Sequence, residues 1–165
     1  HTQSLQSLVS FTFLLDYVPN WERAYGRGWL IQYQSFIPGK HANETFREIL
    51  GLSQRVGLPP YLGVLKRHRP DGFLFSHAVD GFSLALDFKV PNRRREKLVR
   101  LATDLNQIVL DGNGRFYFAK DSTLTPDAVQ AFLGEETVNK FRSLKNKVDP
   151  QHLLQTDLYR RCFGK

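Results

Sequence analysis

The lysine that ends an aromatic segment is the side chain of this sequence best placed to do chemistry. Lys120 follows the run Phe116 to Phe118 and precedes Asp121 and Ser122. Enclosing an ammonium is costly unless an anionic group meets it, so a lysine that leaves an aromatic strand calls for a negatively charged partner. A lysine at a solvent-facing turn is the alternative interpretation.

A second lysine lies in a segment whose pattern is less regular. Lys66 is the middle residue of Val64 to His68, which has the composition of a strand but alternates poorly. Because a shift of one residue exchanges the two faces of a strand, Arg67 or His68 could face a ligand in place of Lys66. The sequence leaves these three residues as competing candidates.

Strand alternation collects polar side chains on one face of a predicted sheet. In the segment Phe82 to Val90 the Phe and Leu residues share one face, and the residues between them share the other. Those residues are Ser83, Ala85, Asp87 and Lys89. Asp87 is expected either to orient a lysine or to be solvated.

The segment Trp29 to Ile37 contributes amides to the same face. Gln32 and Gln34 alternate with Leu30 and Phe36 on the side opposite Trp29, Ile31 and Tyr33. Amides and a carboxylate among apolar groups suit a polyhydroxylated ligand, because each satisfied hydroxyl discriminates against analogues that lack it. An antiparallel sheet with one wet face is the alternative.

The order of periodic segments predicts an α+β fold. Strand patterns cover residues 29–37, 61–67, 82–90 and 115–118. One helical pattern covers 43–56, with Asn43 as its N-cap. A second helix is predicted to begin at Pro91 and Asn92, and its apolar face runs from Leu98 to Val109. The order β-α-β-β-α-β is that of a ferredoxin-like split unit, an antiparallel sheet with both helices on one face.

Further helices are predicted after this unit. Thr125 and Pro126 begin a short helix, and Glu136 to Val148 forms another whose Val138, Phe141, Leu144 and Val148 face inward. The sequence therefore divides into an N-terminal extension of uncertain placement, 1–27, a ferredoxin-like core, 28–118, and a C-terminal helical segment, 119–165. Within the extension, Phe11 to Val18 has a strand pattern.

Composition narrows the class of protein. The 165 residues suit one globular domain, and the charge of +7 permits an anionic partner such as phosphate, nucleic acid or a lipid headgroup. One cysteine, Cys162, excludes an internal disulfide and a cysteine cluster for zinc, and slightly favours the cytoplasm. The sequence shows no membrane span, no signal peptide and no metal-ligand spacing. The chain contains no methionine and is expected to be a fragment of a longer protein.

Several motifs resemble the C-terminal part of FAD-linked oxidoreductases of the vanillyl-alcohol oxidase superfamily, above all those that oxidise decaprenylphosphoryl ribose and sugar lactones. The motifs are IQYQSFIP (31–38), VLKRH (64–68), DGFSLALDF (80–88), AKDS (119–122), KVDP (147–150) and DLYRR (157–161). The resemblance implies oxidation of a secondary alcohol of a sugar, or of a lipid-linked sugar, by hydride transfer to FAD. It places the FAD diphosphate site on an N-terminal domain absent from this chain, and the C-terminal segment toward the flavin.

The resemblance also implies roles for matching residues. Gln34, Tyr117 and Lys120 would approach the flavin, and Lys120 would favour the reduced cofactor electrostatically. Gln32, Gln34, Lys66, Ser83, Asp87 and Tyr117 would line the substrate pocket, with Lys66 and Lys120 as the catalytic candidates. Ser83 and Ala85 replace an asparagine and a cysteine of the decaprenylphosphoryl ribose enzymes, which leaves the substrate open.

A basic ferredoxin-like module that binds RNA is the alternative function. Such modules need exposed aromatic side chains on two central strands for base stacking. Phe82 and Phe88 are instead predicted on the covered face, and no ribonucleoprotein motif is present. No nucleic-acid partner is therefore expected.

Overall fold

The computed structural model describes residues 3, 5–13, 18–20, 23, 26, 29–90 and 95–164. Its elements are α1 (Leu8–Thr12), β1 (Trp29–Pro38), α2 (Gly39–Arg55), β2 (Leu62–His68), β3 (Gly81–Val90), α3 (Arg95–Asp111), β4 (Arg115–Phe116), α4 (Pro126–Leu133), α5 (Glu135–Val148) and α6 (Asp157–Cys162). A 3₁₀ turn, Phe118–Lys120, follows β4.

The strands form one antiparallel sheet in the order β2-β3-β1-β4. With α2 between β1 and β2, and α3 between β3 and β4, this order is that of the ferredoxin-like split unit. The predicted α+β fold is confirmed. Among the described residues, no helix has the length and apolarity needed to span a membrane.

Both helices of the split unit cover the same face of the sheet. Phe82, Leu84, Leu86 and Phe88 of β3 point toward them, in register with alternate residues of β1. From the helices, Ile49 of α2 and Leu101, Leu105 and Val109 of α3 enter the same core and are almost fully buried. Within the described residues, α2 and α3 thus cover one face of the sheet and leave the other to its own side chains.

The C-terminal helices join this core through aromatic side chains. Phe116 of β4 and Phe118 both contact Phe132 of α4, with ring centroids 5.3 and 5.6 Å apart. Phe163, which follows α6, packs against Phe118 and against Phe141 of α5. Thr125 caps α4 as predicted, since its hydroxyl accepts the backbone N–H of Ala128. The split unit and the C-terminal helices thus share one core.

A buried ion pair fixes the chain between α5 and α6. The Lys145 ammonium donates to the Asp149 carboxylate and to the carbonyl oxygen of Leu154, and lies over the ring of Tyr159. The hydrogen bond from Lys145, together with backbone N–H groups of Leu154 and Leu153, lowers the pKa of Asp149 from 3.8 to about 2. The pair accounts for the place of Asp149 in the KVDP motif.

The predicted inward face of α5 is therefore wrong in part. Val138 is buried and Phe141 half-buried, but Leu144 is 52% and Val148 68% exposed. Lys145 takes the inward position because its charge is met by Asp149. Apolar spacing alone cannot reveal a lysine that is buried by pairing.

Other local predictions also differ from the structure. Asn43 lies inside α2, which begins after Pro38, and its side chain accepts a hydrogen bond from Arg47. The strand predicted for Phe11 to Val18 is wrong at its start, because Phe11 belongs to α1; residues 14–17 lie outside the described residues. The predicted opening of α3 at Pro91 and Asn92 also falls outside them.

We expect the Lys145 and Asp149 pair to give the protein a stability that depends on pH. The lowered pKa of Asp149 means that its contribution is complete above 3.8 and is lost as pH falls through about 2. Asp149→Asn should lower the free energy of unfolding at pH 7, since it leaves a buried ammonium without its counter-charge. The deficit relative to wild type should shrink between pH 4 and the acid limit of folding, as measured by urea unfolding.

The matched control is Glu136→Gln, which removes an exposed ion pair with Lys140 on the same helix. We expect it to change stability little at any pH, because solvent screens such pairs. A pH-independent deficit for Asp149→Asn would contradict the proposed role of the charge.

Candidate functional site

The face of the sheet without helices carries the predicted polar side chains, and we call it the open face. The pairing of β1 with β3 places Gln32 opposite Asp87, Gln34 opposite Ala85 and Phe36 opposite Ser83. Directly opposed residues point to the same side of a sheet, so these six side chains lie together. Of the predicted set, Gln32, Gln34, Ser83 and Asp87 are all brought together.

Hydrogen bonds join these polar groups across the strands. The Gln32 amide donates to the Asp87 carboxylate over 2.9 Å, and the Gln34 amide donates to the Ser83 hydroxyl over 3.2 Å. Ser83 is completely buried and Asp87 almost so, whereas Gln32 is exposed and Gln34 half-buried. The polar groups of the central strands are therefore fixed by one another, with the two glutamines nearest to solvent.

The outer strand β2 adds two more side chains to the open face. Its register places Lys66 opposite Ser83, and His68 is on the same side. Arg67 points to the other face, where it pairs with Asp80 and lies 5.5 Å from the ring centroid of Phe82. Both Lys66 and His68 thus face the predicted pocket, and Arg67 does not.

His68 completes a hydrogen-bonded chain. Its Nε2 lies 2.8 Å from the Ser83 hydroxyl oxygen, which also receives the Gln34 amide. The Ser83 hydroxyl has two acceptor lone pairs and one proton, so it can bond Gln34 and His68 at the same time. The chain Gln34, Ser83, His68 links β1, β3 and β2 at one level of the sheet.

An aromatic group lies beside this chain. The buried ring of Phe36 is 4.8 Å from the ring of His68 and 4.5 Å from that of His77, measured between centroids. Tyr117 lies 4.7 Å from His77 and 6.3 Å from Phe36. We call Phe36, His68, His77 and Tyr117 the imidazole cluster. It occupies the end of the open face where β1 finishes.

The loop 69–80 places His77 in this cluster. On one side of His77, the ring of Phe75 stacks on Phe163 with centroids 5.4 Å apart, and the carbonyl oxygen of Ser76 accepts from Arg115 over 2.9 Å. On the other side, the carbonyl oxygen of Asp80 accepts the N–H of Gly39 over 3.0 Å. The long loop is therefore anchored both before and after His77.

Burial lowers the pKa of both imidazoles of the cluster and so favours their neutral forms. Burial lowers the pKa of His68 from 6.5, and the nearby His77, Lys66 and Arg67 lower it further. Burial also lowers the pKa of His77, against the opposing effect of Asp71. In the described parts of the chain, no group of three or more His, Cys, Asp and Glu side chains could hold a metal ion.

Lys120 lies at the edge of the sheet beyond β4. The strand ends at Phe116, so the predicted strand is two residues too long, and the chain turns through Phe118–Lys120 with the N–H of Lys120 bonded to the carbonyl of Tyr117. Lys120 is half-buried and lines a narrow cavity at this edge. Gln32 and Thr123 also line it, but most of its wall is apolar and comes from the helix-covered side, including Ile31, Phe88 and Leu98.

The turn that carries Lys120 is held by the C-terminal helix. The Asp121 carboxylate, whose side chain is 5% exposed, pairs with Arg161 and accepts the N–H groups of Thr123 and Leu124. Arg161 in turn donates to the carbonyl oxygen of Leu124 over 3.0 Å. The AKDS and DLYRR motifs are thus the two halves of one contact, which positions Lys120 beside β1.

Comparison with known proteins shows similarity over nearly the whole chain. No family model matches the chain. Over 162 residues, or 98% of its length, the chain is 30% identical to the decaprenylphosphoryl-β-D-ribose oxidase of Mycolicibacterium smegmatis. The predicted resemblance is confirmed. The chain spans only 34% of the length of this decaprenylphosphoryl-β-D-ribose oxidase, and the similarity includes nearly all of the described residues.

Sequence reasoning missed His77 as a site residue and left His68 as an alternative to Lys66. His77 lies in a loop without periodicity, so no rule of alternation assigns it to a face. One signal was available: the loop carries Phe73, Leu74 and Phe75, and apolar residues in a loop indicate that it packs against something. The structure shows Phe75 in that role.

We expect Lys66 to hold down the pKa of His68. Lys66→Gln removes a neighbouring positive charge and should raise the His68 pKa toward 6.5, while leaving it below that value because burial and His77 remain. NMR titration of the histidine side chains measures the change. Lys140→Gln, on the exposed surface of α5, is the control and should leave His68 unaffected. An unchanged His68 pKa in Lys66→Gln would contradict this electrostatic coupling.

Proposed function

We propose that this chain is the substrate-binding part of an FAD-dependent oxidoreductase that oxidises a secondary alcohol of a sugar or sugar-like compound. The observation that carries the proposal is the 98% coverage of the chain by similarity to an oxidase whose name specifies a phosphorylated lipid-linked ribose. The open face supports it independently, since its side chains suit a ligand with several hydroxyl groups.

The glutamines are the groups best placed to select such a ligand. Gln32 and Gln34 each use one amide N–H internally, toward Asp87 and Ser83, and so retain a second N–H and a carbonyl oxygen that a sugar hydroxyl can reach. Ser83 is enclosed, so its role is to orient Gln34 and His68 rather than to touch the ligand. Lys66 of β2 and Tyr117, which follows β4, flank this surface on its two sides.

Lys120 is the proposed contact to the cofactor. Among the described residues its ammonium has no hydrogen-bond acceptor and no acidic partner, although the residue is half-buried. An anionic group supplied from outside these residues therefore fits the position. Bound FAD would supply the hydride acceptor, and Lys120 would stabilise negative charge on its pyrimidine edge. The remaining FAD contacts, including those to the diphosphate, would come from another domain.

The geometry of the open face disfavours the RNA-binding alternative. On the central strands β1 and β3, Phe82 and Phe88 point toward the helices. Phe36 is the aromatic residue of these strands on the open face within the described residues, and it is 1% exposed beneath the two imidazoles. A stacking platform for bases needs exposed rings on both central strands, and the described face does not provide it.

The test uses the complete protein that contains this chain. We expect it to purify with a flavin absorbance. Under anaerobic conditions this absorbance should bleach when a substrate is added from a panel of pentoses, pentosides and aldonolactones. Lys120→Ala should slow this reduction by about one to three orders of magnitude, since it removes a charge that stabilises the reduced state. The control Lys140→Ala, at an exposed position of α5, should reduce at the wild-type rate.

A complete protein that neither retains nor needs FAD would overturn the proposal. A flavin-loaded protein that no sugar or lactone reduces would overturn the substrate class. If Lys120→Ala binds flavin and is reduced as fast as wild type, the proposed role of Lys120 is wrong even if the enzyme class is right.

A further inference from the structure

We propose that His77 is the base that accepts the hydroxyl proton of the substrate when its carbon loses hydride. This inference rests on the function proposed above and adds a residue to it. Oxidation of a secondary alcohol breaks two bonds to hydrogen: the C–H bond, whose electron pair leaves with hydrogen as hydride for FAD, and the O–H bond, whose proton needs an acceptor. The carbon–oxygen double bond forms as both break.

The two imidazoles of the cluster are not equivalent as proton acceptors. Nε2 of His68 is already engaged in a hydrogen bond with the buried Ser83 hydroxyl, which also accepts from the Gln34 amide. Neither ring nitrogen of His77 has a hydrogen-bond partner among the residues that the structure describes. A neutral imidazole carries one nitrogen lone pair, and that of His77 is available to a ligand. His68 is thus a structural group and His77 a reactive one.

The position of His77 is fixed in the way that proton transfer requires. The stacking of Phe75 on Phe163 and the hydrogen bond from Arg115 to Ser76 hold the preceding residues. The rings of Phe36 and Tyr117 hold the imidazole itself, 4.5 and 4.7 Å away between centroids. A base that is already held in place accelerates proton transfer more than a mobile one, because less conformational entropy has to be lost on reaching the transition state.

Burial of His77 favours its neutral form, which is the form able to accept a proton. On its own loop Asp71 raises the pKa of His77, but burial outweighs it and lowers the pKa from 6.5. From β2, His68 lies close enough to couple with it, and Lys66 lies beside His68; β4 contributes the Arg115 guanidinium. The Asp71 carboxylate is the charge that shifts the pKa of His77, and it acts upward, so burial is what favours the neutral imidazole.

The path of the proton is complete on this chain. The substrate hydroxyl, held over the open face by the glutamines, transfers its proton to a nitrogen of His77. His77 is only half-buried, so the imidazolium that forms can release its proton to water. The neighbouring Gln32 and Gln34 cannot substitute, because an amide is not a base at neutral pH.

The experiment measures anaerobic flavin reduction in the complete, FAD-loaded protein, with the sugar or lactone that reduces the wild type fastest. The wild-type rate should fall as pH drops through the His77 pKa. His77→Gln should lower the rate by about two to four orders of magnitude, and its rate should no longer fall as the pH is lowered through that range. His77→Ala should regain rate on addition of imidazole, in proportion to the free-base form. His152→Asn, at an exposed histidine near α6, is the control and should behave as wild type.

A second measurement does not depend on turnover. NMR titration of the complete protein should show His77 with a pKa below 6.5. Binding of the same sugar to the fully reduced, FAD-loaded protein, which cannot accept hydride, should shift the His77 signals in wild type, and the deoxy analogue that lacks the reacting hydroxyl should shift them less. Circular dichroism and flavin absorbance establish that each variant is folded and loaded.

The outcomes separate the two proposals. If a sugar reduces the wild-type protein, and folded His77→Gln is reduced at the same rate and with the same pH profile, the role of His77 is wrong. The proposed function would then remain intact. Failure of imidazole to restore a folded, sugar-binding His77→Ala would also overturn the role of His77, in favour of a packing role against Phe36. A wild-type protein that no sugar reduces would overturn the proposed function, and this inference with it.

Discussion

The antiparallel pairing of β1 with β3 is the constraint on which the site depends. It joins ten residues of each strand in one continuous register, from Trp29 opposite Val90 to Pro38 opposite Gly81. Because side chains alternate with a period of two, a slip by one residue would send Gln32 and Gln34 into the apolar core. Packing of Leu84, Leu86 and Phe88 against α2 and α3 therefore also determines that the polar side chains of both strands point to the open face. Burial of one face creates the chemistry of the other.

The second determinant is the way in which irregular segments are tied to the C-terminal helices. Phe75 brings the loop 69–80 against Phe163, and Asp121 brings the turn after β4 against Arg161. These two contacts fix His77 and Lys120, neither of which lies in a strand. The C-terminal residues Arg161 and Phe163 thus help to position two side chains of the candidate site without contacting those side chains themselves.

Much of this arrangement could be predicted from residue patterns. The alternation in β1 and β3 predicts the composition of the open face, and the order of strand and helix signals predicts the topology. Prediction failed where one side chain's partner is distant in sequence or where a loop has no period. Lys145 is buried because Asp149 and the Leu154 carbonyl meet it, and His77 reaches the face through contacts of Phe75 and Ser76. Neither arrangement has a signal in local periodicity.

The outermost strand β2 has a consequence for the behaviour of the molecule in a crowded solution. Among the described strands, none pairs with its outward backbone groups, and such a row is a template for intermolecular pairing. Lys66 and Arg67 occupy consecutive positions of this strand and project from opposite faces. Two identical strands approaching one another would bring like charges together on both sides, so these two cations also discourage self-association into extended sheets.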